Sequence, residues 1–164
     1  MLDLSSHGPV SPQIQLKCHI DCSMLGLLRE FVCCVARHLG FTEKQVAEIE
    51  ISVDEACANA MEHAYPSLAN CHVPDPDCVA NVQLEITFDG TAMTVCIVDH
   101  GSGAGADTVS ASHFGSLDDY MDPARDKYRG LGLLLMQKFM DKVDIQSAPG
   151  KGTTVQMIKY RTQT

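Results

Sequence analysis

Within Ile51-Ser-Val-Asp-Glu-Ala-Cys-Ala-Asn-Ala-Met-Glu-His63 the polar residues Glu55, Asn59 and His63 recur every four positions. On a helix this spacing displaces each side chain by only about 40° from the last, so the three form one polar stripe. Val46, Ile49, Val53, Ala56 and Ala60 form an apolar stripe beside it. That stripe has the periodicity of a core-facing surface, which puts the polar stripe at the margin of the core, where a cleft can open. A carboxylate and an amide one turn apart at such an edge can divide the work of a site. The carboxylate can take a proton and the amide oxygen can hold a hard cation. Taken alone, the same spacing also describes a solvated helix flank, and what decides between the two lies elsewhere in the chain.

The helix has legible limits. Thr42 and Gln45 satisfy a capping box, Phe41 and Val46 can close a hydrophobic staple, and Pro66 stops the helix near Ala64. Upstream, residues Met1 to Pro12 are rich in Ser, Pro and Gly and are expected to be flexible. Ile14 to Ile20 alternates at period two, as a half-buried strand does. Ser23 can cap a helix running to about Leu39, with Leu27, Phe31, Cys34, Val35 and His38 on its inner side and Gly40 at its stop. His38 is expected to be packed rather than catalytic.

Downstream of a loop from Pro66 to Asp77, Val79 to Phe88 and Thr91 to Val98 are β-rich runs separated by Asp89-Gly90, the signature of a two-residue hairpin. Residues Ala106 to Tyr128 lack a period, and a segment of that length is expected to be a lid or a disordered loop. A helix follows Arg129-Gly-Leu-Gly132 and ends near Val143. Val143 to Ser147 and Thr153 to Tyr160 read as strands around Ala148-Pro-Gly-Lys-Gly152, a second hairpin.

Composition excludes several classes of function. At 164 residues, with 45% hydrophobic and 20% charged residues, the chain is expected to form a single globular domain over residues 13–164. Its formal net charge of -9 offers no electrostatic footprint for nucleic acid or an anionic membrane, so an anionic ligand must be held locally. No apolar run has the length of a membrane span, and the first residues carry no secretory pattern, which favours the cytoplasm. The eight cysteines include no C-x-x-C and are read as reduced thiols. Cys71, His72, Asp75, Asp77 and Cys78 lack the paired spacing of a zinc site.

Two glycine motifs complete the pattern. In Asp99-x-Gly101-x-Gly103 an acidic residue at a strand end aims a carboxylate into a pocket while the glycines let backbone lie close to a ligand; an ordinary turn is the plainer reading. Gly130-x-Gly132 opening a helix offers free amide groups and the positive end of a helix dipole, the physical basis for holding phosphate, or else only a tight helix start. Neither motif has the spacing of a P-loop or of a Rossmann fingerprint.

Taken in order, Glu55-x-x-x-Asn59-x-x-x-His63, Asp99-x-Gly101-x-Gly103, Gly130-Leu-Gly132 and Gly152-Thr153 resemble the N, G1, G2 and G3 boxes of the GHKL ATPase/kinase superfamily. Asn59-Ala-Met-Glu-His-Ala-Tyr65, the run from Gly130 to Asp141, and Lys151-Gly-Thr-Thr-Val155 look most like the small bacterial anti-sigma factor serine/threonine kinases. The resemblance covers the chain from about Ile14. It implies an α+β two-layer sandwich, the Bergerat fold: a mixed, mostly antiparallel sheet covered on one face by helices, with a lid at about 104–128.

The resemblance also implies ATP and Mg2+ as cofactors, with roles for particular residues. Asn59 matches the magnesium ligand and Glu55 the general base. Asp99 matches the carboxylate that bonds the adenine amino group, with Gly101 and Gly103 beside the base. Gly130, Leu131 and Gly132 match the phosphate-binding turn, and Thr153 the threonine near adenine. Lys127 and Arg129 are expected from their charge to steady phosphate, with a solvated lid edge as the alternative; His63 is taken as structural. The implied partners are an anti-anti-sigma (STAS) protein carrying the acceptor serine or threonine, a sigma factor, and a second copy of the chain. No upstream helical pair with a phosphoacceptor histidine precedes the resemblance, which argues against a complete sensor histidine kinase. A binding module that uses nucleotide only to set its conformation stays open, as does a regulator of the same fold with another target, such as a phosphatase or a detached histidine-kinase catalytic domain.

Overall fold

A computed structural model describes residues 13–20, 24–64, 80–101 and 131–162. Five strands, β1 (Gln13–Ile20), β2 (Ala80–Phe88), β3 (Ala92–Asp99), β4 (Lys142–Ala148) and β5 (Gly152–Tyr160), form one sheet in the order β1-β2-β3-β5-β4. Three helices, α1 (Met24–His38), α2 (Glu43–Ala64) and α3 (Leu131–Phe139), form the second layer. The expected two-layer α+β sandwich is thus present, and every pairing among the described strands is antiparallel.

One face of the sheet is apolar. Val82, Leu84, Ile86 and Phe88 on β2, Met93, Val95 and Ile97 on β3, and Val155 and Met157 on β5 point inward and are buried with Val46, Ile49, Val53, Ala56 and Ala60 of α2. The apolar stripe of α2 therefore faces the core as its spacing predicts. The capping box is also present: Gln45 donates its backbone N–H to Thr42 Oγ1 and Thr42 donates its own to Gln45 Oε1, both at 3.3 Å. Gly40 ends α1 at φ 83°, with Phe41 N–H bonded to the Ala36 carbonyl and Gly40 N–H to that of Arg37. This is the Schellman arrangement, which favours glycine.

Three expectations need correction. The inner face of α1 is Leu28, Val32, Cys33 and Ala36, rotated by roughly 140° from the predicted side. Leu27 is 58% exposed, and Cys34 and His38 also face outward, while Phe31 and Val35 lie at the margin of the core. Arg29, Glu30, Arg37 and His38 interrupt the apolar surface of the helix, and its buried side carries the small residues Cys33 and Ala36. The first hairpin turns at Gly90-Thr91 rather than at Asp89-Gly90, because Asp89 N–H pairs with the Ala92 carbonyl and Gly90 takes φ 97°. Finally, α3 ends at Phe139, so Val143 belongs to β4.

Two polar devices hold the layers. Lys159, at an inward position of β5, places Nζ 2.6 Å from Glu48 Oε2 on α2 and 2.6 Å from the carbonyl of Phe139 at the end of α3. Arg161 donates to the Leu39 and Gly90 carbonyls and lies over the Phe88 ring. The described cysteines, Cys18, Cys33, Cys34, Cys57 and Cys96, are all free. Burial, then the nearby Asp54, pushes the Cys57 thiol up to about 12, which makes it an inert core residue. The loops from Pro66 to Asp77 and from Ala106 to Tyr128 lie outside the described residues, as does the Cys71 to Cys78 group.

Lys159→Met leaves Glu48 only the more distant Lys44, at 4.0 Å, and removes the donor to the Phe139 carbonyl, and should cost about 3 kcal/mol in urea unfolding, with Glu48→Met in the same chain recovering part of the loss. An undiminished denaturation midpoint for Lys159→Met would show that the junction is ornamental. At the first hairpin, Asp89 accepts three hydrogen bonds, from the Thr91 and Ala92 N–H groups and the Thr91 hydroxyl, and these hold its carboxyl below the usual range, the Ala92 bond foremost. Such a group contributes stability that is present above its ordinary pKa and is lost as pH falls through the lowered native value. Asp89→Ala should therefore be less stable than the parent at neutral pH, with the gap closing in acid; a gap independent of pH would contradict this.

Candidate active site

The flank of α2 carries Glu55 and Asn59 one turn apart, both half-buried beside the buried Ala56 and Ala60. The Glu55 side chain is seated against the first turn of α3. A Cβ built on Gly132 would overlap Glu55 Oε2 and lie 3.1 Å from its Cδ, so no side chain fits at this position while Glu55 stays in place. The polar stripe of one helix and the glycine motif opening another are thus parts of one locus. The N–H groups of the first turn of α3 have no partners within the helix and form its positive end.

A second locus lies where β3 ends. Asp99 points inward with only 3% of its surface exposed, and its Oδ1 accepts the Gly101 N–H at 3.0 Å as the chain leaves the strand. Burying a carboxylate is costly unless it is hydrogen-bonded, so a buried Asp at a strand end is a position held for a donor. Thr153 stands directly opposite Asp99 on β5. Gly152 beside it adopts φ 78°, and a Cβ there would overlap the Asp99 carbonyl and lie 2.9 Å from His100 Cα. Both its conformation and this backbone approach demand glycine. His100 itself turns outward, its Nε2 2.9 Å from Gln83 Nε2.

The helix α2, which carries the first locus, packs across β2 and across β3 and β5, the strands that carry the second. The structure thus brings Glu55 to Gly132, next to Leu131, and Asp99 to Gly101 and Thr153. Gly103, Lys127, Arg129, Gly130 and the segment 104–128 lie outside the described residues, as does the side chain of His63. Among the described residues no group of three or more His, Cys, Asp or Glu could hold a metal ion. A cation here would rest on few protein oxygens, which is how Mg2+ is ordinarily held beside phosphate.

Sequence reasoning missed Ser147, whose Oγ is 2.9 Å from Thr153 Oγ1. The signal was present, since Val143, Ile145 and Ser147 share one parity of β4 and the hairpin about Pro149 to Lys151 places Ser147 opposite Thr153. It also missed Lys159, a charged residue on the inward parity of Val155 and Met157.

Known proteins resemble this chain in sequence and in fold. Residues 20–159 match the model of the histidine kinase-like ATPase domain family. The anti-sigma F factor of Thermoanaerobacter sp. (strain X514) is 27% identical over 137 residues, covering 80% of this chain and 82% of the relative. The serine-protein kinase RsbW of Bacillus subtilis (strain 168) is 30% identical over 147 residues, covering 90% of this chain and 84% of the relative. Among solved structures, the histidine kinase domain of the blue-light activated histidine kinase from Erythrobacter litoralis shares the fold, with a TM-score of 0.50 and 17% identity over 82% of this chain and 60% of that one. The chain therefore belongs to the histidine kinase-like ATPase domain family of the GHKL superfamily, and within it resembles the bacterial anti-sigma factor serine kinases.

Proposed function

We propose that this protein is an ATP-dependent serine/threonine protein kinase that phosphorylates an anti-anti-sigma (STAS) partner and, as a homodimer, holds a sigma factor until that partner exchanges with it. The observation that carries the reading is the seating of Glu55 against Gly132. It sets a proton acceptor beside the helix end suited to phosphate, which is what transfer to a hydroxyl requires. The buried Asp99 supports an adenine nucleotide, and the partners follow the names of the anti-sigma F factor and serine-protein kinase relatives.

In this reading Asp99 accepts the adenine amino group, while Gly101 and Gly103 let the backbone come close to the base. Gly130, Leu131 and Gly132 offer amide groups to the phosphates, and Lys127 and Arg129 add charge beside them. Glu55 takes the proton of the acceptor serine as its oxygen bonds to the terminal phosphorus and the bridging bond to ADP breaks. Asn59 offers an amide oxygen one turn from Glu55, a donor suited to Mg2+, and that ion when bound supplies neutralisation of phosphate charge. The rest of the work is positioning by the chain's own groups.

Replacing Asp99 by Asn puts a donor against the adenine amino group and removes a bond to a charged acceptor worth about 1.5 to 3 kcal/mol. Calorimetric titration should show ATP affinity reduced at least about tenfold, and an unchanged affinity would remove Asp99 from the site.

Glu55→Gln keeps size but removes the proton acceptor, so phosphoryl transfer to a STAS protein should fall by roughly 10² to 10⁴ while ATP affinity holds. Asn59→Ala should instead weaken magnesium-dependent ATP binding along with transfer. Full transfer by Glu55→Gln would sink the base assignment; loss of ATP binding by both variants alike would mean that the stripe only builds the pocket.

A further inference from the structure

Two glycines close to the site are glycine for different reasons. At Gly152 the backbone itself demands it, through φ 78° and the approach of the Asp99 and His100 main chain. Gly132 lies inside α3, and its φ is not in the left-handed region. The three atoms nearest a Cβ built on it all belong to the Glu55 side chain: Oε2, which it would overlap, Cδ at 3.1 Å and Cβ at 3.4 Å. On a helical backbone alanine is the better residue, because glycine leaves more freedom to the unfolded chain. The chain therefore keeps the less favourable residue where the nearest obstacle to a side chain is one carboxylate from another helix.

Holding phosphate does not by itself require this glycine. The groups that a helix start offers to an anion are main-chain N–H groups, and alanine at this position would keep its own. What it would not keep is the present place of the Glu55 carboxylate. A carboxylate at the end of a flexible side chain gives way more easily than packed backbone, so a methyl group would be relieved by rotation of Glu55 rather than by loss of the fold. A misplacement of about 1 Å in a catalytic group can cost on the order of 10² in rate.

We infer that Gly132 is a positioning residue for the proton acceptor: its missing side chain holds open the seat in which the Glu55 carboxylate stands against the first turn of α3. The inference rests on the proposed reading of Glu55 as the base. The motif that opens α3 then divides its labour, with main-chain N–H groups for phosphate and an absent side chain for the base.

The test is a double-mutant cycle on the full chain, with Gly132→Ala made in the parent and in Glu55→Gln. Transfer from labelled ATP to a STAS protein is measured at saturating ATP, beside ATP affinity by calorimetry. In the parent, Gly132→Ala should lower transfer at least about tenfold, and by a larger factor than it lowers affinity. In Glu55→Gln, where no base is left to displace, the same substitution should cost no further transfer. Equal losses of transfer in both backgrounds, a loss confined to ATP affinity, or undiminished transfer in the parent would each overturn the inference and leave the base reading standing. Thermal unfolding supplies a measurement that needs no partner protein: in Glu55→Ala, where the seat is vacant, Gly132→Ala should raise the midpoint. A lowered midpoint there would show that something other than Glu55 requires glycine, which also overturns the inference alone. Absence of transfer by the parent chain, or full transfer by Glu55→Gln, would overturn the base reading and the inference with it.

Discussion

A single ammonium group sets the spacing of the two helices that matter. Lys159 reaches inward from β5 to Glu48 on α2 and to the last carbonyl of α3, where a cation is favoured by the helix dipole. At its other end α3 comes so near α2 that a Cβ at Gly132 would overlap the Glu55 carboxylate where it now stands. Gln45 adds a third tie, donating to the Tyr160 carbonyl at 2.7 Å. Held at both ends, α3 cannot slide along α2 without breaking a buried ion pair or driving backbone into Glu55. The position of that carboxylate relative to the first turn of α3 is thus set by contacts several turns away.

The sheet divides core from site by rows rather than by strands. Along β3 the inward positions Met93, Val95 and Ile97 are apolar, as are Val155 and Met157 of β5 beyond Lys159, until the last row, where Asp99 and Thr153 replace them. Gly152 lies beside that row, and its missing side chain lets the Asp99 and His100 backbone close over it. A site built at the end of a packed face inherits the rigidity of the face, which keeps its polar groups oriented before any ligand arrives.

How much of this was legible follows from how local each signal is. The α2 helix, its capping box, its apolar stripe and the individual strands were readable because periodicity and caps act within a few residues. The glycine motifs were readable as motifs, but the reason for Gly132 was not, since it depends on a side chain 77 positions earlier in the chain. The inner face of α1 was misread because Leu27, Leu28, Phe31, Val32 and Cys33 spread apolar side chains over adjoining faces, and only packing in the fold chooses among them. Lys159 and Ser147 escaped for a related reason: each matters through a partner on another element.

The acidity of the chain gives these details their weight. Several described cations are engaged elsewhere: Lys159 with Glu48, Arg37 with Glu43, Arg29 with Asp54, and Arg161 with two carbonyls. A polyanionic ligand approaching a chain of net charge -9 meets a repulsive field at long range, though salt screens it beyond about 10 Å. In the proposed reading, attraction comes from Lys127 and Arg129 and from groups that act only at contact: helix-end amides, backbone exposed at glycines, and oriented side-chain dipoles. Such groups reward shape and hydrogen-bond pattern more than charge. A site made this way distinguishes one ligand from another by where its donors and acceptors fall, so a buried carboxylate such as Asp99 reads a ligand's hydrogen-bond pattern rather than its charge.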